Sequence, residues 1–175
     1  VSLKNIFFIA DSLKILKEKG FKFKMIFVGS GPDEHKLHET IKKNSLSHEV
    51  TFAGRITGRE EISKYYKMAD LFLFPSMYDA SSLVQIEAAS QSTPTIFLKG
   101  AATAATVTDG VNGYLSDPTE EAFADNIIEI FADKVKYDTI CNNAFRDLYV
   151  SWDKAIEKSY NDYLRVINTK KQATV

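Results

Sequence analysis

Short apolar runs alternate along this chain with longer stretches whose apolar residues recur every three or four positions. The first such stretch sets Ile6, Ile9, Ala10, Leu13 and Leu16 on one helical face, and Gly20 stops it. FKFKMIFVG follows and predicts a buried strand near 23–28 that ends in glycine. Segment 33–44 reads as a helix with Leu37 and Ile41 turned inward, and VTFAG (50–54) as a short strand. A helix over 59–68 carries Ile62, Tyr65 and Tyr66 on one side. LFLFPS (71–76) is a strand run stopped by Pro75; an Ala-rich helix over 82–90 and the strand PTIFL (94–98) come next. A short helix near 102–108 leads through DGVNG to a brief strand at Tyr114 and Leu115. In DPTEEAF, Asp117 is expected to cap a helix, with Pro118 at its first position and Glu120 completing a capping box. Two further helices are expected over about 136–150 and 153–167. The second turns Trp152, Ile156, Tyr160, Tyr163, Leu164 and Ile167 toward a core or a partner.

Alternating strands and helices, with near-continuous apolar strands, predict a parallel sheet covered on both faces. Right-handed crossovers make it an open, doubly wound α/β sheet. No internal repeat or linker divides the chain, so residues 1–175 read as one domain with a helical tail over about 136–167. Ligands of such sheets sit at the carboxyl ends of the strands, so the informative residues lie just after each strand.

Composition narrows the choice. With 175 residues, 45% hydrophobic and 26% charged, fibrous, low-complexity and disordered classes are excluded. The net charge of −1 argues against a nucleic-acid partner. The charge is uneven, +4 over 1–75 and −5 over 76–175. The first part could meet an anion such as phosphate or a lipid headgroup; solvated helix faces give the same pattern. Cys141 is the only cysteine, which excludes an intrachain disulfide and a cysteine-type zinc cluster and fits a reducing compartment. No apolar run approaches the roughly 20 residues that span a bilayer. His35, His38 and His48 stand in a polar helix and loop and read as solvated.

After the strand at 23–28 comes VGSGP. Gly29 and Gly31 would let backbone amides approach a ligand, and a tight turn would need them equally. Glu34 stands where a dinucleotide fingerprint needs a third small residue, and no acid follows the strand at 50–53; both disfavour a nicotinamide-dependent dehydrogenase. Arg55 follows Gly54 and could meet a base or phosphate, or be a solvated loop charge. The densest stretch is PSMYDASSLVQIEAASQSTPTI, with Asp79, hydroxyls at Ser76, Ser81 and Ser82, and Glu87 on the helix. A helix opening near Ser82 directs free amides and its positive end into the crevice, which suits a diphosphate. Glu87, about one and a half turns in, suits a vicinal diol such as ribose; a surface salt bridge is the alternative.

Taken in order, Lys4-Asn5, VGSGP, VTFAGRI, YYKMAD, LFLFPS, Asp79 followed eight positions later by Glu87-Ala88, TPTI and DGVNGYL form a series. Over residues 4–131 that series resembles the C-terminal half of group 1 retaining glycosyltransferases, two-domain enzymes of the GT-B class with facing Rossmann-like domains. The resemblance implies a donor-nucleotide-binding domain that serves transfer of a sugar from a nucleotide-diphosphate sugar, a UDP-sugar by expectation, to an acceptor hydroxyl. A non-catalytic nucleotide-sugar-binding module or an epimerase-type domain is the alternative. By position, Lys4 matches the lysine on the donor diphosphate, and Gly29 and Gly31 the glycine loop beside the donor. Arg55 and Ile56 match the segment by the base. Asp79 matches the acid that touches the donor sugar, and Glu87 the one that binds ribose. Ser82 and Leu83 match a Gly-Leu step whose amides meet phosphate, and Ser81 stands beside them. The resemblance implies neither a metal nor a cofactor.

The chain departs from that pattern. Asp79 is a methylene shorter than glutamate and reaches about 1.5 Å less. Ser81 and Ser82 replace Phe-Gly, LKGAATAAT has one glycine where two are common, and Ala105 stands where glutamate is common. These read as a subfamily preference, with loss of activity the alternative. The chain opens on VSLKN, which leaves no room for the first, central strand of the domain. The expectation is five strands, with strand exchange, a dimer or a rearrangement covering the gap, and a fragment lacking its N-terminal acceptor domain and inactive alone. Its location is expected to be cytoplasmic. The lysine cluster Lys14, Lys17, Lys19, Lys22 and Lys24 leaves room for peripheral contact at the inner membrane face.

Overall fold

The computed structural model describes residues 4–79 and 83–172, with side chains through Thr169. Helix α1 (Ile6–Glu18) leads into strand β1 (Met25–Val28), α2 (Glu34–Lys43), β2 (Val50–Gly54), α3 (Arg59–Met68), β3 (Phe72–Phe74) and α4 (Leu83–Ala89). Strand β4 (Thr95–Leu98), a 3-10 turn (Ala102–Ala104), β5 (Tyr114–Ser116), α5 (Glu120–Ala132), α6 (Lys134–Leu148) and α7 (Trp152–Gln172) complete it. The expected alternation is present, except that the short helix expected near 102–108 is only that three-residue turn.

Helix α1 ends as its sequence predicts. Gly20 adopts φ 75°, and the Gly20 and Phe21 amides return to the Lys17 and Leu16 carbonyls at 2.9 and 3.0 Å. The inward face of α1 packs on α5, with Phe8 meeting Phe123 edge to face at 5.2 Å between ring centres. Each buried side chain of this kind contributes about 1.5–3 kcal/mol over its exposed state.

All five strands pair in parallel, but they form two sheets, β1–β2 and β3–β4–β5. The single sheet is therefore corrected to two, while the count of five strands stands among the described residues. β1, β2, β3 and β5 each keep one unpaired edge there. Burial follows that pairing. All four residues of β4, which has neighbours on both sides, are buried. β1 was expected to be buried, yet Met25, Ile26 and Phe27 are half-buried and Val28 is 43% exposed. A strand with one neighbour shields only one edge. The sheets nevertheless share a core: Phe27, Leu73, Ile96 and Tyr114 all join the cluster around α1 and α5.

The cap of α5 differs from expectation. Thr119, not Asp117, precedes the helix in extended geometry (φ −128°, ψ 145°), and its hydroxyl accepts the Ala122 amide at 3.3 Å. Pro118 lies before the cap, and Glu120 is itself the first helical residue, so the capping box expected from Asp117 and Glu120 is not formed. Asp117 is drawn away by Lys99 at 2.9 Å. The tail helices begin and end within a few residues of their expected bounds, except that α7 runs on to Gln172. α6 packs on α4 through Ala89, Ala144 and Leu148. Among the described residues the apolar stripe of α7 meets no core: Trp152 is 65% and Tyr163 71% exposed, with Ile156, Tyr160, Leu164 and Ile167 also exposed. The core is already closed by α1 and α5, and the extended backbone at Tyr149 starts α7 beyond it.

Candidate functional site

The carboxyl end of β3 meets the start of α1. The Asn5 side-chain amide donates to the carbonyl of Pro75, just after β3, at 3.3 Å. Two residues along, the Lys36 ammonium in the first turn of α2 lies 5.0 Å from the centre of the Phe7 ring. The first turn of α2 and the segment after β3 thus both meet the start of α1.

Lys4 and Asp79, 75 residues apart, are brought together there. The Lys4 ammonium donates to the Asp79 carboxylate at 2.6 Å and sits 5.2 Å from the centre of the Phe74 ring. The aspartate side chain is 13% exposed and the lysine 54%, so the carboxylate is set in the wall while the ammonium reaches into solvent. Phe74 adds a cation–π attraction that holds the lysine stem over the strand end. The Thr103 hydroxyl donates to the Ser76 carbonyl at 3.4 Å and pins the same strand end from the other side.

The glycine loop is built from its backbone. Gly29 has φ 129°, open only to glycine, and its amide donates to the Gly54 carbonyl at 2.7 Å. That bond clasps the ends of β1 and β2, and sets Gly29 and Gly31 beside the segment that begins at Arg55. Both glycines are exposed, with nothing within 4 Å of where a Cβ would stand. Arg55 is exposed and Ile56 half-buried. Gly113, in the DGVNG loop, shows the opposite need: a Cβ there would meet Val107 at 3.0 Å and the Thr95 carbonyl at 3.2 Å.

Glu87 stands exposed on α4, and the Tyr66 hydroxyl of α3 donates to its carboxylate at 3.4 Å. The Tyr66 ring lies edge-on to Phe72 at 5.4 Å, and its carbonyl accepts the Thr93 hydroxyl at 2.6 Å. Burial first, and then the Glu87 charge, push the Tyr66 phenol well above the ordinary tyrosine range. Leu83 opens α4 with its side chain exposed; Ser81 and Ser82 lie outside the described residues. The structure therefore joins Lys4 to Asp79 and gives Glu87 a neighbour on α3. Asn5, Phe74 and Tyr66 stand in the quoted motifs without an assigned role and enter the site only through the structure. For Asn5 the available signal was an asparagine, the residue most tolerant of left-handed backbone after glycine, just ahead of a helix.

Other groups lie apart. A concavity of about 370 Å³ is lined by His35, His38, Ile41, Val50 and Phe52 and neighbours on α2 and β2, none of them a candidate site residue. His38 stacks on Phe52 at 3.7 Å. In the lysine cluster Lys14 pairs with Glu18, Lys17 with Glu49, and Lys19 with Glu121 and Asp125. Among the described residues no helix is long and apolar enough to cross a membrane.

Comparison with known proteins decides the family. Residues 1–147 match the family model described as glycosyl transferases group 1. The chain belongs to that family. It is 28% identical over 143 residues to an uncharacterized glycosyltransferase of Methanocaldococcus jannaschii, covering 80% of this chain and 36% of that protein. It is 31% identical over 179 residues to a glycogen synthase of Thermodesulfovibrio yellowstonii, covering 98% and 34%. Anabaena HepE, solved in complex with UDP, superposes with a TM-score of 0.79 at 22% identity, over 95% of this chain and 46% of that one. This group 1 chain thus spans between a third and a half of the length of these relatives. Its fold is the Rossmann-like α/β fold of the C-terminal half of a GT-B glycosyltransferase.

Proposed function

We propose that this group 1 domain binds the nucleotide-diphosphate sugar donor of a retaining glycosyltransferase, a UDP-sugar by preference, for transfer to an acceptor hydroxyl. The observation that carries the reading is the Lys4–Asp79 pair at the carboxyl end of β3. It offers a cation for phosphate and a carboxylate for sugar hydroxyls in one place. Breaking a glycosidic bond to a diphosphate leaves negative charge on the departing phosphate, and fixed donors aimed at that charge lower the barrier. In this reading Lys4 supplies a full positive charge there. Asp79 accepts from a hydroxyl of the donor sugar. Gly29 and Gly31 let the loop amides approach the donor, and Arg55 and Ile56 flank the base. Glu87 accepts from the ribose diol. Ser81, Ser82 and Leu83 keep the phosphate and sugar contacts assigned to them by motif order. No metal enters these roles.

The neighbour solved with UDP supports the choice of donor, since it shares this fold. The acceptor would be held by the other half of a two-domain enzyme. The unpaired edges of β1 and β3 are where a further strand, or a second chain by strand exchange, would add its backbone hydrogen bonds. The setting proposed is the cytoplasm, with contact at the inner membrane face when the acceptor is a lipid.

The reading is tested by titrating the 175-residue chain with UDP and 2′-deoxy-UDP, followed by NMR. UDP is expected to bind about tenfold more tightly than its deoxy analogue, and Glu87→Ala is expected to erase that difference. Equal affinities in the native chain would remove Glu87 from the ribose.

A further inference from the structure

The residue beside Lys4 has no part in that reading. Asn5 is half-buried, with φ 53° and ψ 39°, in the left-handed region. Among side chains other than glycine, asparagine enters that region most readily. The turn lets the Asn5 carbonyl accept the Ile9 amide at 3.4 Å, which starts α1, while its side chain crosses to the carbonyl of Pro75 at 3.3 Å. Pro75 is fully buried and follows Phe74, whose ring underlies the Lys4 ammonium; Asp79 stands four residues further on. One side-chain amide therefore ties the segment that carries Lys4 to the strand end that carries Asp79.

The ion pair alone does not fix Lys4. Its side chain is half exposed on a flexible four-carbon stem, and a phosphate that takes the ammonium opens the pair. The bond from Asn5 to Pro75 involves neither charged group, so it survives that exchange. We propose that Asn5 is a positioning residue that holds Lys4 over the end of β3 and so sets the affinity for the donor's diphosphate. The inference rests on the reading of Lys4 as the diphosphate ligand.

The test titrates the full chain by NMR, which reads millimolar affinities, with UDP and with uridine. Wild type is compared with Lys4→Ala, Asn5→Gly and Asn5→Asp. Glycine keeps the left-handed turn and loses the tether; aspartate tolerates the turn and has no N–H to give Pro75. In both Asn5 variants UDP affinity is expected to fall about three- to tenfold while uridine affinity stays, with melting temperature unchanged in Asn5→Gly. Wild-type UDP affinity in Asn5→Gly, or in Asn5→Asp should glycine prevent folding, overturns the proposal. So does a parallel fall for UDP and uridine with a lowered melting temperature, which makes Asn5 structural only. If Lys4→Ala binds UDP as wild type does, or the wild-type chain binds no UDP, the underlying reading of Lys4 fails and the inference falls with it. If Lys4→Ala weakens UDP and the Asn5 variants do not, the inference alone fails.

Discussion

The Lys4 ammonium and the Asp79 carboxylate neutralise each other at 2.6 Å, so a phosphate that approaches Lys4 must compete with a carboxylate already in place. Because the lysine is half exposed, the pair is screened and its strength is modest. Asp79→Asn should therefore tighten UDP about two- to fivefold, as read by NMR titration. A UDP-sugar should gain less, because the same substitution weakens an acceptor for the sugar's hydroxyls. Unchanged or weaker UDP binding would show that the pair does not compete with phosphate. Motif order alone singled out both residues, but their contact spans 75 positions and no local pattern encodes it. Tyr66 belongs to a helix face and to the YYKMAD motif, neither of which gives it a role. Its hydroxyl matters through Glu87, 21 positions on, and depends on how α3 and α4 pack. The strain at Asn5 is likewise a backbone property that its letter permits without requiring.

At the scale of elements, periodicity located the strands and most helices to within a few residues, because amphipathic spacing and glycine stops are local; the helix expected near 102–108 is only the 3-10 turn Ala102–Ala104, and α7 runs on to Gln172. It went astray where two local signals competed. Asp117 and Thr119 both stand before α5, and Lys99 settles the contest from β4's end by pairing with Asp117. Thr119→Ala should cost about 0.5–2 kcal/mol in chemical denaturation, and Asp117→Ala under about 1 kcal/mol. The reverse order would restore Asp117 as the cap. The exposed stripe of α7 was legible as amphipathic, but a sequence pattern states only that a face is apolar, not which surface covers it.

At the scale of the whole molecule, the α/β class and parallel pairing followed from strand–helix alternation, whereas the split into two sheets depends on what lies beside β1 and β3. Three half-buried or buried tyrosines respond to folding, Tyr114 and Tyr137 in the shared core and Tyr66 on α3. Burial raises Tyr66, Tyr137 and Tyr114, the last pushed up to about 12, and the Tyr137 hydroxyl donates to the Asp70 carbonyl at 2.7 Å. An unfolded phenol titrates near about 10, so above that pH the folded chain holds more protons than the unfolded one. Stability should be constant with respect to these groups below about pH 9 and fall as pH rises through 10 toward 12. Melting temperature followed against pH, with tyrosinate absorbance alongside, checks this; a flat profile through that window would contradict it. The donor site rests on a more direct observation, a crystal structure of this chain with UDP. The account predicts the diphosphate about 3 Å from the Lys4 ammonium, the pair with Asp79 opened, and the ribose diol on Glu87. UDP seated in the concavity between α2 and β2, or bound with Lys4 still held by Asp79, would contradict it.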